Sequence, residues 1–263
     1  MSSFPIACQT ITWGENQCER FPEVFAEIAA GGFDGVEIGF RHIRAIPPAD
    51  LREMLGQSNL ALAASHVGGN LENTDQASGE RKILDEVLAY LEAMGTQNLM
   101  YSGLRFADEA QFASDLEMLN RSAAECARRG VRLLYHNHDW EFADGGRVIN
   151  ALLESASDQI GFCPDVGWVM KGGGNAVEFL QAAKCRIGAV HFKDFATRGQ
   201  GCDTVLLGDG VAPLAEAAEW VKANVEGLWM IAEQDIADVP TAQVAESNGA
   251  FLKQALGVGR SQV

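Results

Sequence analysis

The sequence predicts an α/β fold, a single (β/α)8 barrel with a parallel eight-stranded sheet, on three observations. Short apolar runs alternate with amphipathic helical stretches along the whole chain, the pattern of βα units around a parallel sheet. The chain has 263 residues, the usual length of one such barrel, and nothing in its composition marks a second module, so residues 1–263 are expected to form one domain. An open doubly wound sheet would usually carry a Gly-rich phosphate turn after its first strand. That position reads Thr10-Ile11-Thr12-Trp13-Gly14-Glu15, with no GxGxxG.

The strands fall at residues 6–12, 35–40, 60–66, 98–102, 131–138, 160–163, 187–192 and 228–233. Between them, apolar residues recur at helical spacing. Examples are Val24, Phe25, Ile28 and Ala29, then Ile83, Leu84, Val87, Leu88 and Leu91, then Phe112, Leu116, Leu119, Ala123 and Cys126. Several helices end in glycine just before the next strand, at Gly31-Gly32, Gly95, Gly130 and Gly227, as expected of left-handed caps and short αβ turns. Lys171-Gly172-Gly173-Gly174 lacks the spacing of a P-loop and reads as a flexible loop at the barrel mouth.

An apolar share of 47% with 21% charged residues fits a globular chain with a sizeable core. Thirty-six acidic against 20 basic side chains give a formal charge of −16, and no basic cluster is dense enough to track phosphates, so nucleic-acid binding is not expected. The six cysteines are scattered with no CxxC pair, which argues against a zinc ribbon, a redox dithiol or a disulfide framework. No basic n-region or cleavage site marks the N-terminus, and no apolar stretch approaches membrane-spanning length. A cytoplasmic protein with no membrane partner is expected.

The chemistry collects at the strand ends. Of the five histidines, His66, His136, His138 and His191 end predicted strands, and in a barrel those ends and the loops after them form the active site. His42 falls in a polar loop and reads as solvated. Glu37, Glu141, Asp165 and Glu233 lie in the same strand-end positions beside apolar runs. A carboxylate there needs a partner, which a divalent cation would supply. Singly, each residue has a plainer explanation, such as a hydrogen-bonded core histidine or a helix cap, and only the joint pattern favours a site.

His136-Asn137-His138-Asp139-Trp140-Glu141 is the densest cluster, and strand alternation puts His136 and His138 on one face. Mixed imidazole and carboxylate donors suit Mn²⁺, Co²⁺, Zn²⁺ or Fe²⁺ better than Ca²⁺. Lys193 shares the His191 face and is placed to stabilise an enediolate, or else to pair with Asp194. Trp13, Trp140 and Trp168 fall just beyond strand ends, where they would either wall a sugar pocket or pack as ordinary loop aromatics.

Taken together, Gly35-Val36-Glu37-Ile38, Ser65-His66, Tyr135 to Phe142, Asp165-Val166-Gly167-Trp168, His191-Phe192-Lys193-Asp194 and Glu233-Gln234-Asp235 resemble the xylose-isomerase-like TIM barrels. That superfamily includes sugar isomerases and epimerases, inosose dehydratases and endonuclease IV. The resemblance implies one divalent metal held by Asp165, His191 and Glu233. Its usual strand-five glutamate position is occupied by His136, so the fourth ligand is expected to be Glu141, the nearest carboxylate, with His136 and His138 as alternatives. Trp168 stands where many epimerases of the family carry a histidine, so a multinuclear site is not expected.

The expected function is that of a metal-dependent isomerase or epimerase of carbohydrate metabolism. It would act on a small ketose or related polyol ketone through an enediolate, with His138, His136, Lys193 and Glu141 as catalytic groups. Glu37, His66, Trp13, Trp168 and Arg198 are expected to bind substrate. The alternative is a lyase of the inosose dehydratase type. An endonuclease IV-like phosphodiesterase ranks lower, because of the acidic balance, as does an inactive sugar-binding barrel. Little in the sequence offers a phosphate site, so an unphosphorylated substrate is favoured, and the chain leaves room for a homo-oligomer.

Overall fold

The protein is described by a computed structural model over residues 4–68, 77–199 and 201–258. In chain order the elements are β1 (Ile6–Gln9), α1 (Phe21–Ala30), β2 (Gly35–Gly39), α2 (Phe40–Ile43), α3 (Pro48–Gln57), β3 (Ala61–Gly68), α4 (Ala77–Met94), β4 (Asn98–Ser102), α5 (Glu109–Arg128) and β5 (Arg132–His136). There follow α6 (Ala143–Ser155), β6 (Ile160–Cys163), α7 (Val166–Lys171), α8 (Ala176–Ala183), β7 (Ala189–Phe192), β8 (Asp194–Phe195), β9 (Thr204–Val205), α9 (Leu214–Asn224), β10 (Trp229–Ala232) and α10 (Thr241–Leu256).

Eight parallel strands form one sheet in the order β6-β5-β4-β3-β2-β1-β10-β7, as the alternation predicts. The two ends of this order meet through isolated parallel bridges, Phe162 with Ile187 and Asp165 with His191. Gly188 donates to the Phe162 carbonyl at 2.9 Å and His191 donates to the Pro164 carbonyl at 2.9 Å, so the barrel closes along this seam. β8 and β9 form a separate antiparallel ribbon beyond β7, which the alternation does not foretell.

The barrel interior is lined by small or slender residues, among them Ala7, Ala63, Ala64, Met100, Cys163 and Ala189. Leu134 occupies the space that Gly161 and Gly188 leave open, since a methyl group on either would collide with its side chain. The larger apolar residues sit outside the sheet, in the layer under the helices, where Ile6, Val36, Leu99, Leu133, Phe162 and Val190 are buried. Full burial of such a side chain contributes roughly 1.5–3 kcal/mol.

The helices follow the predicted periodicity. In α5, Asp108 caps the start by accepting from the Gln111 amide at 2.9 Å, and Phe112, Leu119, Ala123 and Cys126 form its buried face. It ends ahead of Gly130, at φ 70°, a left-handed position that glycine takes without the steric cost of a Cβ. All six cysteines are free thiols. No helix among the described residues is long and apolar enough to cross a membrane.

Candidate metal centre and active site

Strands β5, β7 and β10 and the residue after β6 and Pro164 deliver His136, His191, Glu233 and Asp165 to one point at the barrel mouth. One ligand atom from each lies within 4.8 Å of the others, and all four residues are buried. The His136 Nε2 atom stands 3.4 Å from Asp165 Oδ2 and 3.4 Å from Glu233 Oε2. His191 is held from both sides, with Nδ1 2.6 Å from Glu233 Oε2 and Nε2 2.8 Å from Glu37 Oε2. The strand-end histidines predicted to share one rim do so: the His136 ring centroid is 5.7 Å from that of His66, 5.0 Å from His138 and 4.5 Å from His191.

These residues fit a divalent cation. His136 Nε2 and Asp165 Oδ2 are buried, face each other, and have no hydrogen-bond partner. Metal bonds of about 2.1 Å in a tetrahedral arrangement place neighbouring donor atoms roughly 3.4 Å apart, the spacing that His136 Nε2 keeps to both carboxylates. Two nitrogens and two carboxylates match the borderline ions Mn²⁺, Co²⁺, Zn²⁺ and Fe²⁺.

Glu141, the expected fourth ligand, lies outside this group. Its Oε1 accepts from the Tyr135 hydroxyl at 2.6 Å and its Oε2 from the His138 backbone amide at 2.8 Å, so the buried carboxylate is spent on fixing the turn after β5. Burial pushes its carboxyl up, against the pull of those two donors. His136 occupies the place instead, because it ends β5 inside the barrel whereas Glu141 lies five residues farther along, where the chain has already turned away.

Lys193 leaves β7 on the same side as His191. Its ammonium is 3.1 Å from Glu233 Oε1, 2.8 Å from Asp235 Oδ2 and 4.0 Å from Asp165 Oδ2. Burial would lower its pKa, but these carboxylates more than offset that and keep it charged. Burial likewise works to raise Glu233, and the ammonium of Lys193 with the adjacent imidazoles of His136 and His191 holds it well below the usual carboxylate range. The salt bridge considered between Lys193 and Asp194 is absent. Asp194 instead accepts backbone amides of Phe195 and Ala212 on one oxygen, and of Gly208 and Gly210 on the other, all at 2.9–3.0 Å.

Around this core the other imidazoles are held neutral. Burial pushes His138 down to about 2 and His66 down to about 4. His138 stacks on Trp140 at 4.2 Å between centroids and lies 5.6 Å from Trp168, while the Arg105 guanidinium lies 3.2 Å over the Trp140 ring. His66 Nε2 shares a hydrogen bond of 2.9 Å with Ser102 Oγ, and its Nδ1 is 3.8 Å from Glu37 Oε1.

Three further placements differ from expectation. Trp13 turns away from the mouth and into the core, where its indole donates to Glu27 of α1 at 2.8 Å. Arg198 is exposed on the loop beyond β8, outside the cluster. His42 is buried against the mouth rather than solvated, because residues 40–43 form the short helix α2. A cavity of about 210 Å³ opens onto the centre, lined by His66, His138, Glu233 and Asp235 and also by Thr10 and Gln17. Those last two, with Asp235 and Ser102, went unremarked as site residues in the sequence. Only Asp235 carried a signal, since it follows Glu233 by two positions on one face.

The family profile described as xylose isomerase-like TIM barrel matches residues 25–255. By sequence the chain is 25% identical over 190 residues to an inosose dehydratase of Geobacillus kaustophilus, covering 65% of this chain and 61% of that protein, so it spans less than two-thirds of that relative's length. By structure it superposes on a sugar phosphate isomerase/epimerase from Parabacteroides distasonis with a TM-score of 0.81 at 18% identity, over 98% of this chain and 96% of the other. It also superposes on the IOLI protein, a structure with a bound zinc atom, with a TM-score of 0.78 at 14% identity over 100% of both chains. The likeness in shape thus runs the length of a barrel whose donor residues already converge at its mouth, and on the profile match the chain belongs to the xylose isomerase-like TIM barrel family.

Proposed function

We propose that this chain is a divalent-metal-dependent isomerase or epimerase acting on a small, unphosphorylated ketose or related polyol ketone through an enediolate. One observation carries the proposal: His136, Asp165, His191 and Glu233 converge within 4.8 Å at a cavity mouth, with a charged lysine beside them. A divalent ion held by these four would polarise the substrate carbonyl and acidify the adjacent C–H.

The chain's own groups then divide the work. Lys193, kept protonated by its carboxylates, donates to the oxygen on which negative charge develops and does not take up protons itself. Glu37 is our candidate for removing the α-proton, since its Oε2 is engaged by His191 while its buried Oε1, 3.8 Å from His66 Nδ1, has no hydrogen-bond partner. His138, which burial keeps neutral and which lines the cavity, orients a hydroxyl as a neutral imidazole, held in place by its stacking on Trp140. Return of the proton to the neighbouring carbon, with a hydroxyl proton passed between the two oxygens, isomerises, and protonation of the opposite face by a second acid epimerises.

The sequence likeness to inosose dehydratases favours a second reading, in which the same enediolate expels a β-hydroxyl. In either case the partner is a sugar or polyol rather than nucleic acid or membrane, and the setting is cytoplasmic. Proton exchange from D₂O into a panel of ketoses, keto-inositols and 3-keto-glycosides, followed by NMR, tests both readings. Exchange that disappears in Asp165→Ala, His191→Ala or Glu233→Ala together with the metal is expected. A metal-loaded protein that exchanges no proton in any member would be a binding barrel, not an enzyme of this class.

A further inference from the structure

The cavity at the metal donors continues toward the chain leaving β1, and that end is built of hydrogen-bond acceptors rather than cations. Gln17 lines it and is 1% exposed. Its amide orientation is fixed, because Nε2 donates to the Gly14 carbonyl at 3.0 Å, which leaves Oε1 as the free atom, and this oxygen has no partner. Thr10 lines the same end, is 0% exposed, and its hydroxyl is also unpartnered. The turn that carries Thr10 is anchored, since Gln9 Oε1 accepts from the Ile11 amide at 2.5 Å and Thr12 Oγ1 donates to the Gln234 carbonyl at 2.6 Å. Native proteins rarely leave such buried groups unmatched, and two of them on one wall of a cavity mark a place where a ligand supplies the match.

The chemistry of that ligand follows from the atoms. An amide oxygen only accepts, so the group that meets Gln17 must carry a proton, and a hydroxyl does. A phosphate or carboxylate would instead face this oxygen and the carboxylates of Glu233 and Asp235. The one cation among the described lining residues, Arg41, is exposed and already paired with Glu15 at 2.9 Å. We propose that Thr10 and Gln17 form a hydroxyl-recognition subsite that selects an uncharged polyhydroxy ketone and rejects its phosphorylated counterpart. This deepens the proposed function and rests on it for the metal-side half of the substrate.

The test uses Mn²⁺-loaded protein with scyllo-inosose, D-fructose and D-fructose 6-phosphate as probes. Binding is read by saturation-transfer NMR and enolisation by deuterium exchange. At least one neutral probe is expected to bind, with fructose 6-phosphate weaker than fructose. Thr10→Val and Gln17→Met, both close in shape to the native residues, should each weaken the neutral probe by about tenfold, which corresponds to about 1.4 kcal/mol. Metal content and melting temperature should stay at wild-type values, and a variant that fails this check is replaced by Gln17→Leu or Thr10→Ala. Three outcomes overturn the subsite: variants that bind the neutral probe as wild type does, no binding of any probe, or a preference for fructose 6-phosphate that Arg41→Ala abolishes. Binding that obeys the subsite without deuterium exchange would leave it standing and overturn the enolisation mechanism instead.

Discussion

Against the effect of burial, Asp165 and Glu233 raise His136 above the ordinary imidazole value, and Cys163, with Glu37 and Glu233, raises His191 well above it. Without metal the two imidazoles hold protons that an incoming ion must displace, so metal affinity rises with pH and falls as acid restores the competing protons. Calorimetric titration with Mn²⁺ near neutral pH, repeated in buffers of different ionisation enthalpy, should show about one or more protons released per ion. An enthalpy independent of buffer would remove the histidines from the ligand set. Glu141 supplies the contrast. Glu141→Gln should keep the metal by elemental analysis while lowering stability by about 1–3 kcal/mol, because the Tyr135 hydroxyl and His138 amide lose a charged acceptor. His136→Ala should lose the metal, and the opposite pair of results would return Glu141 to the centre. That Asp165, His191 and Glu233 meet at one rim was legible in the sequence because strand ends in a barrel all point to one mouth. Glu141 was misplaced because proximity along the chain does not tell which way a side chain turns once its strand has ended, and Trp13 and Arg198 were misplaced for the same reason.

Among the elements, α7 decides how the centre is held. It starts from Asp165, whose Oδ1 caps it by accepting from the Trp168 amide at 2.8 Å, and so leaves Oδ2 directed at His136. Gly167 lies against the backbone of Lys193, and a methyl group there would fall inside the van der Waals shell of the Lys193 carbonyl and of Phe195. Gly167→Ala should therefore push α7 off β7, lowering the urea midpoint by an amount equivalent to about 1–3 kcal/mol and reducing metal retention at the same time. A variant of wild-type stability with full metal content would show that α7 has slack. This close approach is invisible in sequence, where Gly167 is one glycine among many. The first strand was over-extended for a related reason. Residues 6–12 are apolar enough for a strand, but the Gln9 side chain captures the Ile11 amide and bends Thr10–Trp13 into a 3-10 turn. The ribbon of β8 and β9 went unseen because two-residue strands leave no periodicity to detect.

For the molecule as a whole, the count of the eight barrel strands was legible, since alternation of period two with period 3.6 survives uncertainty at every boundary. The formal charge of −16 is also a property of the whole. It predicts no measurable affinity for duplex DNA at physiological salt, and salt-sensitive binding at about 10⁻⁶ M or tighter in an anisotropy assay would bring a phosphodiesterase back into contention. The closure of the cylinder has a further mechanical meaning. Where β6 approaches β7 there is no continuous ladder, only two bridges, and Asp165 and His191 stand on opposite lips of that gap. An ion gripped by both would act as a clasp, so chelation should loosen the cylinder along one line rather than soften it evenly. The amides of Gly188 and His191, which reach across to Phe162 and Pro164, are expected to exchange hydrogen faster once the metal is stripped, while those pairing β3 with β4 on the far wall keep their protection. The same four side chains that would activate a substrate would then also be the latch by which the barrel stays shut.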